Sequence, residues 1–131
     1  MKKEFNLLKK FHICFGIFRQ DIPNMNIPQN IIEGRISMMT EELKEVVDAM
    51  NDNNDIVHLA KELGDLLYLT LGTIDTYGLS DKFPDIFKAV HESNMSKLDY
   101  NNKPIKREDG KILKSANYKN AEPAINKILF H

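Results

Sequence analysis

Five acidic residues fall into two groups whose spacing suits one shared binding site. The first group is Glu41, Glu42 and Glu45, and the second is Glu62 and Asp65. Residues three positions apart in an α-helix lie about 60° apart around its axis, so Glu42 shares a face with Glu45, and Glu62 with Asp65. Acidic helix faces are usually solvated surface. Whether these acids form a functional site therefore depends on whether their neighbours indicate burial.

The neighbours of both groups indicate that protein covers these faces. The stripe around the first group contains Met38 and Ala49 beside the acids, and it begins at Arg35. The segment around the second group is apolar on most sides, which is typical of a buried helix. Carboxylates held about 4 Å apart would repel by around 4 kcal/mol per pair at an effective dielectric constant of 20. Such a cluster therefore needs compensating positive charge.

Few cations are available in the sequence to neutralise these acids. Arg35 shares the acidic stripe, whereas we expect Lys44 and Lys61 to point elsewhere on their helices. A divalent cation would resolve the repulsion. Carboxylate ligands without a Cys–His cluster favour Mg²⁺, or Mn²⁺, over Zn²⁺. The sequence therefore predicts a metal site on two facing helices.

Helical periodicity positions these acids, and alternating strand patterns are nearly absent. The apolar spacing predicts helices over about 4–18, 29–50, 56–77 and 83–95. A polar break at Asn51–Asp55 supplies an N-cap for the third helix, and Gly78 ends it. We expect Ser80 or Asp81 to cap the fourth helix, with Pro84 in its first turn. The predicted fold is an all-α, four-helix bundle over about 4–98, followed by an irregular basic tail over about 99–131.

Composition limits the class of protein. The 131 residues suit one domain covering the whole chain, 1–131. With 18 basic and 19 acidic residues, the chain lacks the basic excess of a nucleic-acid binder. The single cysteine, Cys14, excludes an intrachain disulfide and suits a reducing compartment. The longest apolar run, 63–74, is too short to span a membrane, and we recognise no signal peptide, so we expect a cytoplasmic protein.

The acidic pattern resembles a known signature. Glu41-Glu42-x-x-Glu45 followed by Glu62-x-x-Asp65 is similar to the motif of all-α nucleoside triphosphate pyrophosphatases, which include MazG proteins, dimeric dUTPases and phosphoribosyl-ATP pyrophosphohydrolases. The resemblance extends over roughly 11–123. Further matches resemble the phosphoribosyl-ATP pyrophosphohydrolase-like branch: Phe11-His12-x-x-Phe15-Gly16, Arg35, Glu62 to Tyr68, Gly72-Thr73, His91 to Lys97, and Asp109-Gly110-Lys111 with Lys114 and Tyr118.

The resemblance implies hydrolysis of a nucleoside triphosphate between its α and β phosphates, giving a monophosphate and pyrophosphate. It implies that Mg²⁺ is held by Glu42, Glu45, Glu62 and Asp65. Glu41 would be a further ligand or would orient the attacking water. Hydrolysis of phosphoribosyl-ATP is the alternative enzymatic reading, and a non-catalytic helical module for oligomerisation or partner binding also stays open.

A polyphosphate substrate also needs cations and polar groups from the protein. Asn94 and Lys97 match an Asn-x-x-Lys element of the resemblance, and the basic tail adds further candidates. Arg35 could pair with Glu42 or reach a phosphate, and His12 lies beside aromatic residues that could stack on a base. The substrate-binding candidates are Arg35, Asn94, Lys97, Lys111, Lys114, Tyr118 and His12.

The apolar third helix also predicts a partner chain. One copy of four helices cannot cover a helix that is apolar on most sides. We therefore expect a homodimer or a dimer of dimers, with the second and third helices forming much of the interface.

Overall fold

The structure is a computed structural model that describes residues 1–52 and 54–131. Asn53, part of the predicted polar break, lies outside the described residues. The described residues form two compact units, Met1–Asp81 and Lys82–His131. Their elements are α1 (Lys2–Phe15), α2 (Gln29–Asn51), α3 (Ile56–Thr76), α4 (Phe83–Met95), β1 (Ile105–Lys106), β2 (Ile112–Leu113) and α5 (Glu122–Phe130).

In the first unit, α1 and α2 both pack against α3. The buried face of α1 carries Phe5 and Leu8 at helical spacing, and that of α2 carries Val46 and Ala49. The side chain of Asp55 accepts a hydrogen bond from the backbone N–H of His58 and so caps α3, as predicted. This packing brings the acidic faces of α2 and α3 together.

The segment between α1 and α2 is hydrogen-bonded to the C-terminal end of α3. Backbone N–H groups of Gln20 and Asn24 donate to the carbonyls of Asp75 and Tyr77, at 3.3 and 3.2 Å. Gly78 follows α3 with φ +73°, and a Cβ there would lie 2.2 Å from the carbonyl oxygen of Ile22. Only glycine fits this close crossing of two backbones.

In the second unit, α4 packs on α5, and β1 pairs with β2 in an antiparallel hairpin. Gly110 turns this hairpin with φ +88°. The prediction of an irregular tail is wrong here, because 99–131 contains both the hairpin and α5. The short apolar run at the end of the chain forms this helix.

The predicted cap of α4 is also wrong. The helix begins after Lys82, and among the described residues no side chain caps it with a hydrogen bond. The Ser80 hydroxyl donates instead to Asp75 Oδ1 at 2.9 Å. A hydrogen bond to a charged carboxylate is stronger than one between neutral groups, and it holds Ser80 beside Asp75 instead of at the first turn of α4.

The all-α class is confirmed, and the four predicted helices are present. Two-residue strands make up the whole sheet of the described residues. The single-domain reading of 1–131 stays a prediction. In the part of the chain that the structure describes, no helix is long and apolar enough to cross a membrane.

Candidate active site

Three of the predicted metal ligands converge between α2 and α3. Glu42 on α2 and Glu62 and Asp65 on α3 each offer one carboxylate oxygen, and these oxygens all lie within 4.8 Å of one another. Glu62 is 5% exposed, and the other two are half-buried. The arrangement follows from the helical spacing, since Glu62 and Asp65 project from adjacent turns toward the facing helix.

Two oxygens of this cluster are buried without a hydrogen-bond partner among the described residues, Glu42 Oε2 and Glu62 Oε2. Leaving a buried carboxylate oxygen unsatisfied is unfavourable, so each such atom requires an explanation. Hard carboxylate oxygens are the ligands that Mg²⁺ and Mn²⁺ prefer. The donor set, its charge and its unpaired oxygens therefore fit a divalent cation.

One expectation about the surrounding charges is wrong. Lys61 does not point away from the acids: its Nζ lies 2.8 Å from Asp65 Oδ2 and 3.5 Å from Glu62 Oε1. The lysine is one turn before Asp65, and its long side chain reaches forward along the helix to the next turn. The hydrogen bond to Asp65 raises the pKa of Lys61, which stays cationic. Lys61 lies at the solvent edge of the cluster, with 63% of its side chain exposed.

Glu45 lies at the exposed edge of the cluster. Its carboxyl and that of Glu62 are placed to share a hydrogen bond, which requires a proton on one of them, and this contact raises the pKa of Glu45. The negative charge of Glu42 adds to the increase. Glu41 is exposed and is not among the three converging acids. The ligand role of Glu45 and the catalytic role of Glu41 stay predictions.

A pocket of about 540 Å³ lies beside the acids and is formed within the first unit. Glu42 and Asp65 form part of its wall, and the other lining residues are mostly apolar. Phe11 and Tyr68 both line it and pack edge to face, with their ring centroids 5.4 Å apart. Such aromatic walls suit a planar, uncharged group.

Arg35 is the buried cation of this pocket. It is 7% exposed, and it donates from Nε to Thr73 Oγ1 at 3.1 Å and from Nη2 to the carbonyl oxygen of Leu69 at 3.0 Å. Within the described residues it has no carboxylate at salt-bridge distance, so the predicted alternative of an ion pair with Glu42 is not observed. Burial lowers the pKa of Arg35, although a guanidinium remains charged at neutral pH. The pocket therefore combines a buried positive charge with the acidic cluster.

His12 lies in the wall of the same pocket and is 1% exposed. Its Nδ1 lies 2.8 Å from Oδ2 of Asp75, a fully buried residue that the sequence analysis did not identify. The sequence could have identified Asp75, because it is a carboxylate in a predominantly apolar helical segment, and a buried carboxylate needs hydrogen-bond partners. His12 and Arg35 therefore line the same pocket as Glu42 and Asp65, and their contact with substrate stays a prediction.

A family model for phosphoribosyl-ATP pyrophosphohydrolase matches residues 8–94, well over half of the 131-residue chain. The chain belongs to the phosphoribosyl-ATP pyrophosphohydrolase family. This family is part of the MazG-like all-α nucleoside triphosphate pyrophosphatase superfamily, so the resemblance seen in the sequence is confirmed. A search of curated proteins found no match.

Membership of the phosphoribosyl-ATP pyrophosphohydrolase family identifies the chain as a hydrolase acting on phosphoric anhydrides. It is an enzyme, and the reading of a non-catalytic helical module is set aside. The family generally depends on a divalent metal, and the acidic cluster fits that requirement. All five acids of the predicted motif lie within the matched residues.

The remaining substrate-binding candidates belong to the second unit. Asn94 is exposed and is the last residue of the phosphoribosyl-ATP pyrophosphohydrolase match, whereas the others lie beyond it. Lys97 is half-buried. Lys111 follows the turn of the hairpin, and Lys114 places Nζ 4.6 Å from the ring centroid of Tyr118. Their contact with substrate stays a prediction.

Proposed function

We propose that the protein is a Mg²⁺-dependent nucleoside triphosphate pyrophosphohydrolase that cleaves between the α and β phosphates and releases a nucleoside monophosphate and pyrophosphate. One observation carries the proposal: three converging carboxylates with two unpaired buried oxygens lie beside a 540 Å³ pocket. A nucleotide has the matching parts, since its phosphates need a metal-binding cluster and its base needs an apolar pocket.

The carboxylates of Glu42, Glu62 and Asp65, joined by Glu45, would hold the metal. When bound, Mg²⁺ would neutralise phosphate charge, polarise phosphoryl oxygens and acidify water. Glu41 is exposed on the adjoining side of α2, and we assign it the role of orienting the attacking water and accepting its proton. The water oxygen then forms a bond to phosphorus, and the bond from phosphorus to the bridging oxygen breaks.

The pocket would receive the nucleoside end of the substrate. Phe11 and Tyr68 present ring surfaces to it, and His12 presents a ring nitrogen. Arg35 would meet negative charge or a carbonyl oxygen, because its buried guanidinium has no carboxylate at salt-bridge distance within the described residues. The pocket thus orients the substrate with its phosphates toward the acids.

Phosphoribosyl-ATP is the second candidate substrate, favoured by the description of the family that matches the chain. It carries the same triphosphate, so the acidic cluster would act on it in the same way. The two candidates differ at the base, where phosphoribosyl-ATP carries an additional phosphorylated sugar. The size and charge of that group make a substrate panel decisive.

The experiment is a measurement of pyrophosphate release from ribonucleoside and deoxyribonucleoside triphosphates and from phosphoribosyl-ATP. Each substrate is tested with Mg²⁺, with Mn²⁺ and with a chelator. We expect metal-dependent release that is abolished by Asp65→Asn and retained by Asp48→Asn, a matched change of an exposed acid on α2. Failure to release pyrophosphate from every substrate, with no metal-dependent shift of Tm, contradicts the proposal.

We also propose that the enzyme assembles as a homodimer or a dimer of dimers through α2 and α3. Exposed apolar residues recur at heptad-like spacing on both helices. On α2 they are Ile36, Leu43, Val47 and Met50, and on α3 they are Ile56, Leu63 and Leu67. Stripes of this kind pack well against the same stripes of a second copy.

A further inference from the structure

Asp75 is a fully buried carboxylate with a complete set of hydrogen-bond donors. Its Oδ2 accepts from Nδ1 of His12 at 2.8 Å and from Nε of Arg19 at 3.0 Å. Its Oδ1 accepts from Nη2 of Arg19 at 3.1 Å and from the hydroxyl of Ser80 at 2.9 Å. The residue thus joins α1, the segment after α1, the end of α3 and the segment that follows α3.

This environment keeps Asp75 ionised. Burial alone would raise its pKa, but the hydrogen bonds from His12, Arg19 and Ser80 outweigh that effect and lower the pKa to about 2. An ionised carboxylate only accepts hydrogen bonds, so Nδ1 of His12 must carry a proton. In the neutral ring, Nε2 is then the nitrogen that accepts.

Gly72 of α3 leaves the space that Nε2 of His12 and the guanidinium of Arg35 occupy. A Cβ on Gly72 would stand 3.1 Å from His12 Nε2 and 2.6 Å from Arg35 Nη2. The absent side chain therefore lets the imidazole and the guanidinium lie side by side against the helix. Both residues line the pocket, whose wall so combines a hydrogen-bond acceptor with a cationic donor.

We propose that Asp75 is a positioning residue for nucleotide recognition, which holds His12 so that Nε2 accepts a hydrogen bond from the ligand in the pocket. Asp75 is not part of the pocket wall and acts through His12. The inference rests on the proposed function, since it takes the occupant of the pocket to be a nucleotide. The group that His12 recognises is an N–H of the base or an O–H of the sugar.

The first test uses the unaltered protein, labelled with ¹⁵N in its histidines and free of metal. We expect the ring of His12 to show a protonated Nδ1 and an unprotonated Nε2, and its signals are assigned by their loss in His12→Phe. Addition of a panel of nucleoside monophosphates should shift the Nε2 resonance. The opposite tautomer, or an Nε2 resonance that no monophosphate shifts, overturns the inference.

The second test is a double-mutant cycle on monophosphate binding and on KM. His12→Phe and Asp75→Asn should each raise Kd and KM by about tenfold, the value of one hydrogen bond, while kcat changes less. In the His12→Phe background, Asp75→Asn should have no further effect beyond about twofold. An equal effect of Asp75→Asn in both backgrounds would assign it a purely structural role and overturn the inference.

Ser80→Ala is the matched control, because it removes a donor from Oδ1 of Asp75 and leaves the contact with His12 intact. We expect its KM to stay within about twofold of the unaltered protein. The two proposals fail separately. Absence of pyrophosphate release refutes the proposed function, whereas a monophosphate that shifts Nε2 in the same protein still supports the role of Asp75.

Discussion

Among the individual residues, Glu45 is the acid whose substitution is most informative. It is exposed, yet its pKa is raised by the shared hydrogen bond with Glu62 and by the charge of Glu42. Glu45→Gln removes one negative charge and keeps the shape of the side chain. We expect metal affinity to fall by about ten- to a hundredfold, with turnover falling in parallel. Metal titration by calorimetry, together with a pyrophosphate assay, measures both.

Measurements of folding stability distinguish the possible roles of Glu45. Without metal, Glu45→Gln should leave Tm unchanged or raise it, because like charges repel less. Asp48→Asn, on the same helix, should change neither metal affinity nor turnover. Unaltered metal affinity in Glu45→Gln would identify Glu45 as a surface acid. A loss of about 3–5 kcal/mol of stability would instead identify a structural ion pair.

Asp75 should give the protein a measurable acid sensitivity. Its pKa is lowered from 3.8 to about 2 in the folded protein. Its ionised form therefore stabilises the fold above the unfolded pKa, and that contribution is lost as the pH falls from about 4 to about 2. A difference of nearly two pKa units corresponds to about 2 kcal/mol. Urea unfolding of the protein and of Asp75→Asn should show stability curves that converge over this range, and parallel curves would contradict the assignment.

Helical spacing placed Glu62 and Asp65 on one face of α3, and the apolar residues beside Glu42 indicated that its face of α2 is covered by protein, so the convergence of these three acids was predictable. Helical spacing was insufficient for Lys61, whose four-carbon side chain reaches forward to Asp65. It also missed Asp75, because the partners of that residue are distant in sequence. His12, for example, lies 63 positions away. Contacts of this kind depend on how α1 packs on α3, which periodicity does not specify.

Among the helices, α3 offers a matched pair of glycines for a direct test. A Cβ at Gly72 would press against Arg35 and His12, whereas at Gly64 it would meet no atom of the described residues within 4 Å. Gly64→Ala should raise stability by about 0.5–1 kcal/mol, because alanine is the better helix former. Gly72→Ala should lose that gain and raise KM, because it displaces the guanidinium. Thermal melting and steady-state kinetics of the two variants provide the comparison.

Equal stabilisation by both alanines would contradict this prediction, because it would show that Arg35 and His12 can move aside at no cost.

The helices themselves were predictable to within a few residues, since each has a strong apolar period. The segments outside these helices were harder to predict. Ser80 donates a hydrogen bond to Asp75 instead of capping α4, and the tail contains a hairpin and α5. A short apolar run does not reveal whether it has a partner to pack on, and α5 packs on α4.

At the scale of the whole molecule, the exposed apolar stripes of α2 and α3 predict self-association. Leu67 is 54% exposed in the isolated chain, and a glutamate there would place a charge in the proposed interface. We expect the unaltered protein to sediment as a dimer or tetramer at micromolar concentration and Leu67→Glu to sediment as a smaller species. Sedimentation velocity at several concentrations measures the change.

Met25→Glu is the control for that experiment. Met25 is also an exposed apolar residue, but it lies in the segment between α1 and α2, outside both stripes. It should leave the sedimentation coefficient unchanged. A monomer for the unaltered protein, or an equal effect of both glutamates, would refute an interface built from α2 and α3.

The acids at the centre of this site all project from the interior of long helices. Their backbone N–H groups are therefore held in helical hydrogen bonds, and the site keeps its geometry as long as α2 and α3 stay formed and packed on each other. Heat inactivation should consequently coincide with the loss of helical circular dichroism. In enzymes whose active sites are carried by mobile loops, inactivation instead precedes that loss. The catalytic lifetime of this protein on heating is set by the unfolding of α2 and α3.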